Sequence, residues 1–251
     1  MKATLSKPRF VSLTMVLCLS LLGCAQGVAP PEEADASGAS PEVSESPEAD
    51  ARAEWEARQQ HIAAVMGKQS RAELIGGSPT KGSPDAEVVL FKFSDFQCPY
   101  CAVASADMKT FMDGREDVLY VYKHFPLNSI HPEATPAAKA TWAAQQQGQF
   151  WLYHDGLFAY QDRLGEDYYA ELAEQIGLDV EQFNRDRNSD EAAAAIEADL
   201  QLAQALELGG TPTFVMNDLL IPGGAPLALF EEAAVRIRAY DAAPSEAQSP
   251  E

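Results

Sequence analysis

Cys98 and Cys101 carry the most specific chemistry in the chain, within the stretch VVLFKFSDFQCPYC at residues 88–101. Residues spaced i, i+3 share one face of a helical turn, so the two sulfurs can form and reopen a disulfide. Proline is favoured at the first helical position, which places a helix start at Pro99 and Cys98 at the N-cap. There the free amides of the first turn, that of Cys101 included, are expected to point at the sulfur, and the helix dipole favours a thiolate. A free thiol with pKa about 8.5 is roughly 3% ionised at pH 7, whereas helix-end CxxC cysteines fall to about 3.5–7. The pair therefore reads as a reactive disulfide. The alternatives are half of a zinc site or a static structural bridge. Zinc held by four protein ligands needs a second pair, and the sequence has no other CxxC, CxxH or HxxxH.

The elements around the pair follow from local pattern. Val88, Val89, Leu90, Phe91 and Phe93 form a β-branched and aromatic run that suits a largely buried strand, broken at Ser94-Asp95. Residues 102–112 continue the helix, Asp113-Gly114 stop it, and VLYVYKH at 118–124 is a second strand, which makes a βαβ unit. Residues 131–208 are helical in pattern, opened by Pro132 and Pro136 and punctuated by Gly148, Gly165, Gly177 and Asn188-Ser189. Trp142, Phe150, Trp151, Tyr153, Phe158 and Tyr160 are expected to form the core of this helical part. Pro212 opens a β-branched run at 211–216, Asn217-Asp218 is a hairpin turn, and 219–222 is a short return strand. Residues 226–240 read as a closing amphipathic helix and 241–251 as a flexible tail. Upstream, residues 51–84 read as one or two helices followed by a Gly- and Pro-rich loop.

The chain has 251 residues, 46% of them hydrophobic, enough for a real core. Its net charge of −20 argues against nucleic-acid binding, which needs clustered Lys and Arg. Lys2, Lys7 and Arg9 precede an apolar run at 10–22 that is too short to cross a bilayer comfortably, so residues 1–23 read as a signal peptide. The ending Leu21-Leu22-Gly23-Cys24 resembles the bacterial lipobox, which implies lipidation at Cys24 and an anchor to a membrane. An ordinary exported protein cut near Ala25 is the alternative. With Cys18 removed and Cys24 acylated, only Cys98 and Cys101 remain free. Residues 24–50 are rich in Pro, Ala, Ser and acids without a base, the composition of a disordered acidic tether.

FSDFQCPYC, then YKHFPL with His131-Pro132, then GQFWLYHDGLF, then GTPTFV resemble the DsbA-like branch of the thioredoxin-fold thiol–disulfide oxidoreductases. The match runs over about residues 85–240. It implies an α/β class with a thioredoxin-like fold and an inserted helical subdomain at about 131–208. The 114 residues from Cys98 to Pro212 suit that, since a bare βαβ unit needs only about 30 or more. The resemblance also implies roles. Cys98 would be the exposed nucleophile and Cys101 the buried resolving thiol. Pro212 would be cis, with Thr211 beside it, facing the pair and binding the substrate chain. Pro99 and Tyr100 would set the electronic surroundings of Cys98. No metal or other cofactor is implied beyond the Cys98–Cys101 disulfide.

One position departs from the family. Many relatives carry an acidic residue six places before the first cysteine, where it handles the proton of the resolving thiol; here that residue is Lys92. Either Lys92 snorkels to water, or its charge lies near the cysteines, stabilises the Cys98 thiolate and makes the disulfide a stronger oxidant. His124 and His131 read as structural, and Asp95 as a tuning group or a loop cap. Three functions compete. One is an exported, monomeric oxidase that donates its disulfide to cysteine-containing proteins outside the cytoplasm, in the periplasm, and is re-oxidised by a membrane quinone-linked partner. Another is a reductase or isomerase of the same fold. The third is a non-enzymatic binder of Cu(I) or peptides.

Overall fold

The computed structural model describes residues 47–241, so the expected signal peptide, Cys24, most of the acidic tether and the last ten residues lie outside the described residues. Among the described residues, five strands form one sheet in the order β1-β3-β2-β4-β5: β1 (Thr80–Lys81), β2 (Val88–Ser94), β3 (Val118–His124), β4 (Thr213–Met216) and β5 (Leu219–Pro222). β2 and β3 are parallel, joined through helix α3 (Pro99–Phe111), and β4 and β5 add antiparallel on the other side of β2. β2 is thus the central strand. Its seven residues are all buried, as expected of a strand covered on both faces.

Alternation along the strands decides what each face meets. Val89, Phe91 and Phe93 join Leu119, Val121 and Val215 against α1 (Pro47–Met66), α2 (Arg71–Ile75) and α8 (Asp190–Ala205), through Ile62, Val65, Met66, Leu74, Leu202 and Leu206. Val88 and Leu90 face the other way with Val118, Tyr120, Phe214 and Met216. They pack on Ala104, Met108 and Phe111 of α3 and on Phe230, Ala233 and Ala234 of the last helix, α9 (Leu227–Asp241).

Between β3 and β4 lie α4 (Ala134–Gln146), α5 (Phe150–Ala159), α6 (Glu166–Gln175), α7 (Val180–Arg187) and α8, so the thioredoxin-like core with inserted helices is the observed architecture. The helices share a second core of Phe150, Tyr153, Leu157, Tyr168, Tyr169, Leu172 and Phe183, and alanines 137, 140, 143 and 144 of α4 let them approach closely. Of the aromatic residues expected in this core, Phe150 and Tyr153 are buried, Trp142, Trp151 and Phe158 are half-buried, and Tyr160 is exposed.

Three features differ from the sequence reading. α1 begins at Pro47, four residues inside the stretch expected as tether, because Pro47 suits a helix start and acids follow in the first turn. Thr80 and Lys81, expected within a loop, pair with Val121 and Tyr120 and add an edge strand. The 217–218 turn is held more firmly than a bare turn would be. Asn217 adopts φ 53°, which asparagine tolerates, and its Oδ1 accepts the Val89 amide at 2.7 Å.

A buried ion pair fastens the insert to the sheet. Lys123 Nζ on β3 lies 2.9 Å from Asp199 Oδ1 on α8, and Asp199 Oδ2 accepts the His124 amide at 2.8 Å. Removing one partner strands the other charge in the interior. Asp199→Ala should therefore lower unfolding stability by about 3–5 kcal/mol in urea titrations, whereas a loss under about 1 kcal/mol would mean that Lys123 finds water.

Candidate active site

The site forms where β2 ends and α3 begins. Cys98 is the N-cap of α3 with extended backbone (φ −74°, ψ 120°), and Pro99 takes the first helical position. Asp95 holds the loop between them. Its Oδ1 accepts the Gln97 amide at 2.7 Å, and its Oδ2 accepts the Leu127 amide at 2.9 Å and sits 2.7 Å from His131 Nδ1. Asp95 is thus the cap of the loop, and His131 is the group that fixes it. His124 lies buried against Phe96, Tyr122 and Phe150, and burial first, then Lys123, pushes its pKa down to about 3.

The two thiols are both reduced and differ in surroundings. Cys101 is fully buried, and its sulfur accepts the Asp95 amide at 3.5 Å. Cys98 is only 4% exposed, less open than the resemblance implied. The Thr211-Pro212 segment, whose peptide bond is cis, leans over it, and the Cys98 thiol donates to the Thr211 carbonyl at 3.4 Å. Gly223 permits this packing, since a Cβ there would collide with the Pro212 carbonyl. A groove of about 330 Å³ runs beside the pair, lined by Tyr100, Val103, Asp107, Thr211, Pro212 and Gly224 among others. Tyr100 is 74% exposed on its rim.

The electrostatics separate the thiols sharply. Cys98 is lowered to about 5, first by the hydrogen bond from the Cys101 thiol, against the cost of burial, and then by the Thr211 side chain and the amides of Cys101 and Tyr100. The Thr211 hydroxyl is buried without a protein partner, free to donate to a thiolate. The expected capping geometry is looser than the sequence suggested: no amide makes a full hydrogen bond to the Cys98 sulfur, and the Cys101 amide donates to the Cys98 carbonyl instead, at 3.1 Å. Helix-end amides therefore assist, and the neighbouring thiol dominates. Cys101 is pushed far above the ordinary thiol range by burial and by its bond to Cys98.

Lys92 does not reach water. It is fully buried, because β2 is covered on both faces and α3 and α5 close over its side chain. Its Nζ donates to the Cys101 carbonyl at 3.2 Å and to Ser105 Oγ at 2.5 Å, and stands 5.2 Å from the Phe158 ring. Burial lowers its pKa to about 8, partly offset by Cys101 and then Cys98. Its charge lies near both cysteines, and on Cys101 it acts more weakly than the Asp95 amide and Ser94, while the Cys101 thiol is the largest influence on Cys98. Gln161 escaped the sequence reading. Its Nε2 donates to the carbonyls of Phe96 at 2.7 Å and Cys98 at 2.9 Å, tying the insert to the cysteine loop. A lone glutamine in a helical run gives no sequence clue to such a long-range bond. Among the described residues, no cluster of three or more His, Cys, Asp or Glu could hold a metal ion.

Residues 75–231 match the family model described as Thioredoxin. The chain belongs to the thioredoxin family. Its fold and its cysteine pair are those of a thiol–disulfide oxidoreductase. It is similar to a thioredoxin-like oxidoreductase from Silicibacter pomeroyi, at 34% identity and TM-score 0.63, over 70% of this chain and all of that one. The thiol–disulfide exchange protein alpha-DsbA2 from Wolbachia pipientis shares the fold at 20% identity and TM-score 0.65, over 72% of this chain and 98% of that one. A Na(+)/H(+) antiporter NhaA 3 from Salinispora tropica is 36% identical over 137 residues, 55% of this chain, and the match spans only 21% of the antiporter's length.

Because the Cys101 thiol is the largest influence on Cys98, Cys101→Ser should raise the Cys98 pKa from about 5 towards the ordinary thiol range, read as thiolate absorbance in the ultraviolet. An unchanged midpoint would assign the depression to the backbone. The linkage has a definite sign. A thiol lowered in the folded state stabilises the reduced protein fully above its unfolded pKa and loses that contribution as pH falls through about 5. Reduced minus oxidised stability should therefore grow with pH from about 5 to the ordinary thiol range.

Proposed function

We propose that the chain is an exported protein thiol oxidase that donates the Cys98–Cys101 disulfide to cysteine-containing proteins. The observation that carries this reading is the placement of Cys98 at the N-cap of α3, beside the buried Cys101 thiol and the unpartnered Thr211 hydroxyl, an environment that lowers its pKa to about 5. Stabilising the thiolate stabilises the reduced form, and a disulfide whose reduced form is stabilised is a stronger oxidant. In the reaction a client thiolate attacks Cys98, the bond to Cys101 breaks, and Cys101 leaves with the electron pair and takes up a proton. A second client thiolate then attacks the client sulfur of the mixed disulfide and releases Cys98 as a thiolate, so the client is oxidised and the pair reduced.

The groove beside Thr211 and Pro212 suits an extended client segment, with Tyr100 at its rim and Pro99 and Tyr100 shaping the approach to Cys98. The N-terminal sequence supports export to the periplasm, a lipid anchor at Cys24 and an acidic tether that holds the domain off the membrane. A quinone-linked membrane partner would regenerate the disulfide. The similar Wolbachia protein, a thiol–disulfide exchange protein, agrees with the reaction class.

Equilibration of the pair with glutathione tests the direction. An oxidase should give a potential of about −200 to −120 mV, together with oxidation of a reduced, unfolded client. A value near about −270 mV would make the chain a reductase.

A further inference from the structure

Cys98 has few holds of its own. It sits at the N-cap of α3, outside the helix body, and its side chain makes no capping bond. Its amide donates to the Asp95 carbonyl at 3.2 Å, and its carbonyl accepts the amides of Cys101 and Ala102 at 3.1 and 3.4 Å, on the long side for such bonds. Its thiol donates to the Thr211 carbonyl at 3.4 Å, and that bond needs the sulfur proton. Once Cys98 carries a client in a mixed disulfide, the proton is gone and the Thr211 bond with it. The residue is then held through its backbone.

Gln161 supplies the shortest of the remaining holds. It opens the short 3₁₀ turn (Gln161–Arg163) that follows α5, and its Nε2 donates to the Cys98 carbonyl at 2.9 Å and to the Phe96 carbonyl at 2.7 Å. An amide nitrogen carries two protons, so both donors go to one stretch of the cysteine loop. Phe96 is buried, and among the described residues no backbone amide meets its carbonyl. Its ring lies 5.4 Å from that of Tyr122 and 4.9 Å from that of Phe158, between ring centroids. A shift of Cys98 therefore strains two bonds from one side chain and the packed ring beside them.

We propose that Gln161 is a positioning residue for thiol–disulfide exchange, holding the Cys98 sulfur in line for Cys101 while Cys98 carries the client. The role rests on exchange at the cysteine pair and, by microscopic reversibility, serves the same step in either direction. In resolution the Cys101 thiol loses its proton to solvent and its sulfur attacks Cys98. The bond from Cys98 to the client breaks, and the client sulfur leaves with the electron pair as a thiolate. Displacement at sulfur needs the attacking, central and leaving sulfurs nearly in line, and a misplacement of about 1 Å can cost on the order of 10²-fold in rate. The first attack by Cys98 makes no such demand, because a disulfide arriving from solution sets its own line of approach. Loss of Gln161 therefore falls on resolution.

Glutamine suits the place chemically. Two carbonyls present only lone pairs, so their partner must bring two donors and no negative charge. A glutamate there would offer a donor only when protonated, and a methionine, close to glutamine in length, would offer none.

The test uses the reduced full chain carrying Cys18→Ser and Cys24→Ser, so that Cys98 and Cys101 are its only thiols. An aromatic disulfide releases one thionitrobenzoate on attack by Cys98 and a second on resolution by Cys101. Gln161→Met should slow the second release by about tenfold or more and change the first by less than about twofold. Gln161→Glu should slow the second release while its carboxyl is ionised and recover as pH falls from about 8 towards about 4, read as the ratio to the unsubstituted rate at each pH. The Gln161→Met ratio should stay flat over the same range. A Gln161→Met second release within about twofold of the unsubstituted rate overturns the positioning role, and so does a Gln161→Glu ratio that does not move with pH. Equal slowing of both releases overturns it too, since the glutamine would then serve the scaffold. An unsubstituted chain that releases no thionitrobenzoate would instead overturn the exchange chemistry itself.

Discussion

The unequal ionisation of two neighbouring sulfurs governs the site. The Cys101 thiol donates to Cys98 and so lowers one pKa while raising the other, and burial of Cys101 reinforces the difference. One sulfur is therefore a thiolate near neutral pH, and its partner is a neutral thiol. That asymmetry requires the two residues at fixed spacing on one turn, which Pro99 at the helix start provides. It also requires a loop that cannot relax, which Asp95 secures by accepting two amides and meeting His131.

The inserted helices belong to this arrangement and are more than a cover for the sheet. Gln161 grips the carbonyls on either side of Gln97, and Gln97 accepts the Glu133 amide at 2.8 Å, so the cysteine loop is sewn to the insert from two directions. His154 and Phe158 of α5 close over Lys92, and the Lys123–Asp199 pair fixes α8 to the opposite face of the sheet. The reactive pair thus lies at the seam between core and insert. Lys92 faces the insert, and the groove beside Thr211 and Pro212 faces α3, the cis peptide and the end of β5.

Much of this was legible in the chain because it is local. The β-branched run of β2, proline at the start of α3, alternation in β3 and the Asn217-Asp218 turn follow rules that act over a few residues, and the ordered motifs supplied the fold. Long-range features were not legible. β1 is two residues long and exists only because β3 offers an edge. The fate of Lys92 depended on whether its face of the sheet was open or covered, and no local pattern reports that. A lysine with a free path to water snorkels, whereas one roofed by two helices turns to a carbonyl and a hydroxyl. Cys98 was expected to be more open than it is, because the segment that leans on it comes from 113 residues further along.

Site-resolved alkylation of the reduced chain tests the asymmetry most directly. Treated with iodoacetamide at about pH 6 and mapped by mass spectrometry, Cys98 should be modified and Cys101 left intact, since only a thiolate is the nucleophile. Equal labelling of the two cysteines, or labelling of Cys101 first, would contradict the account.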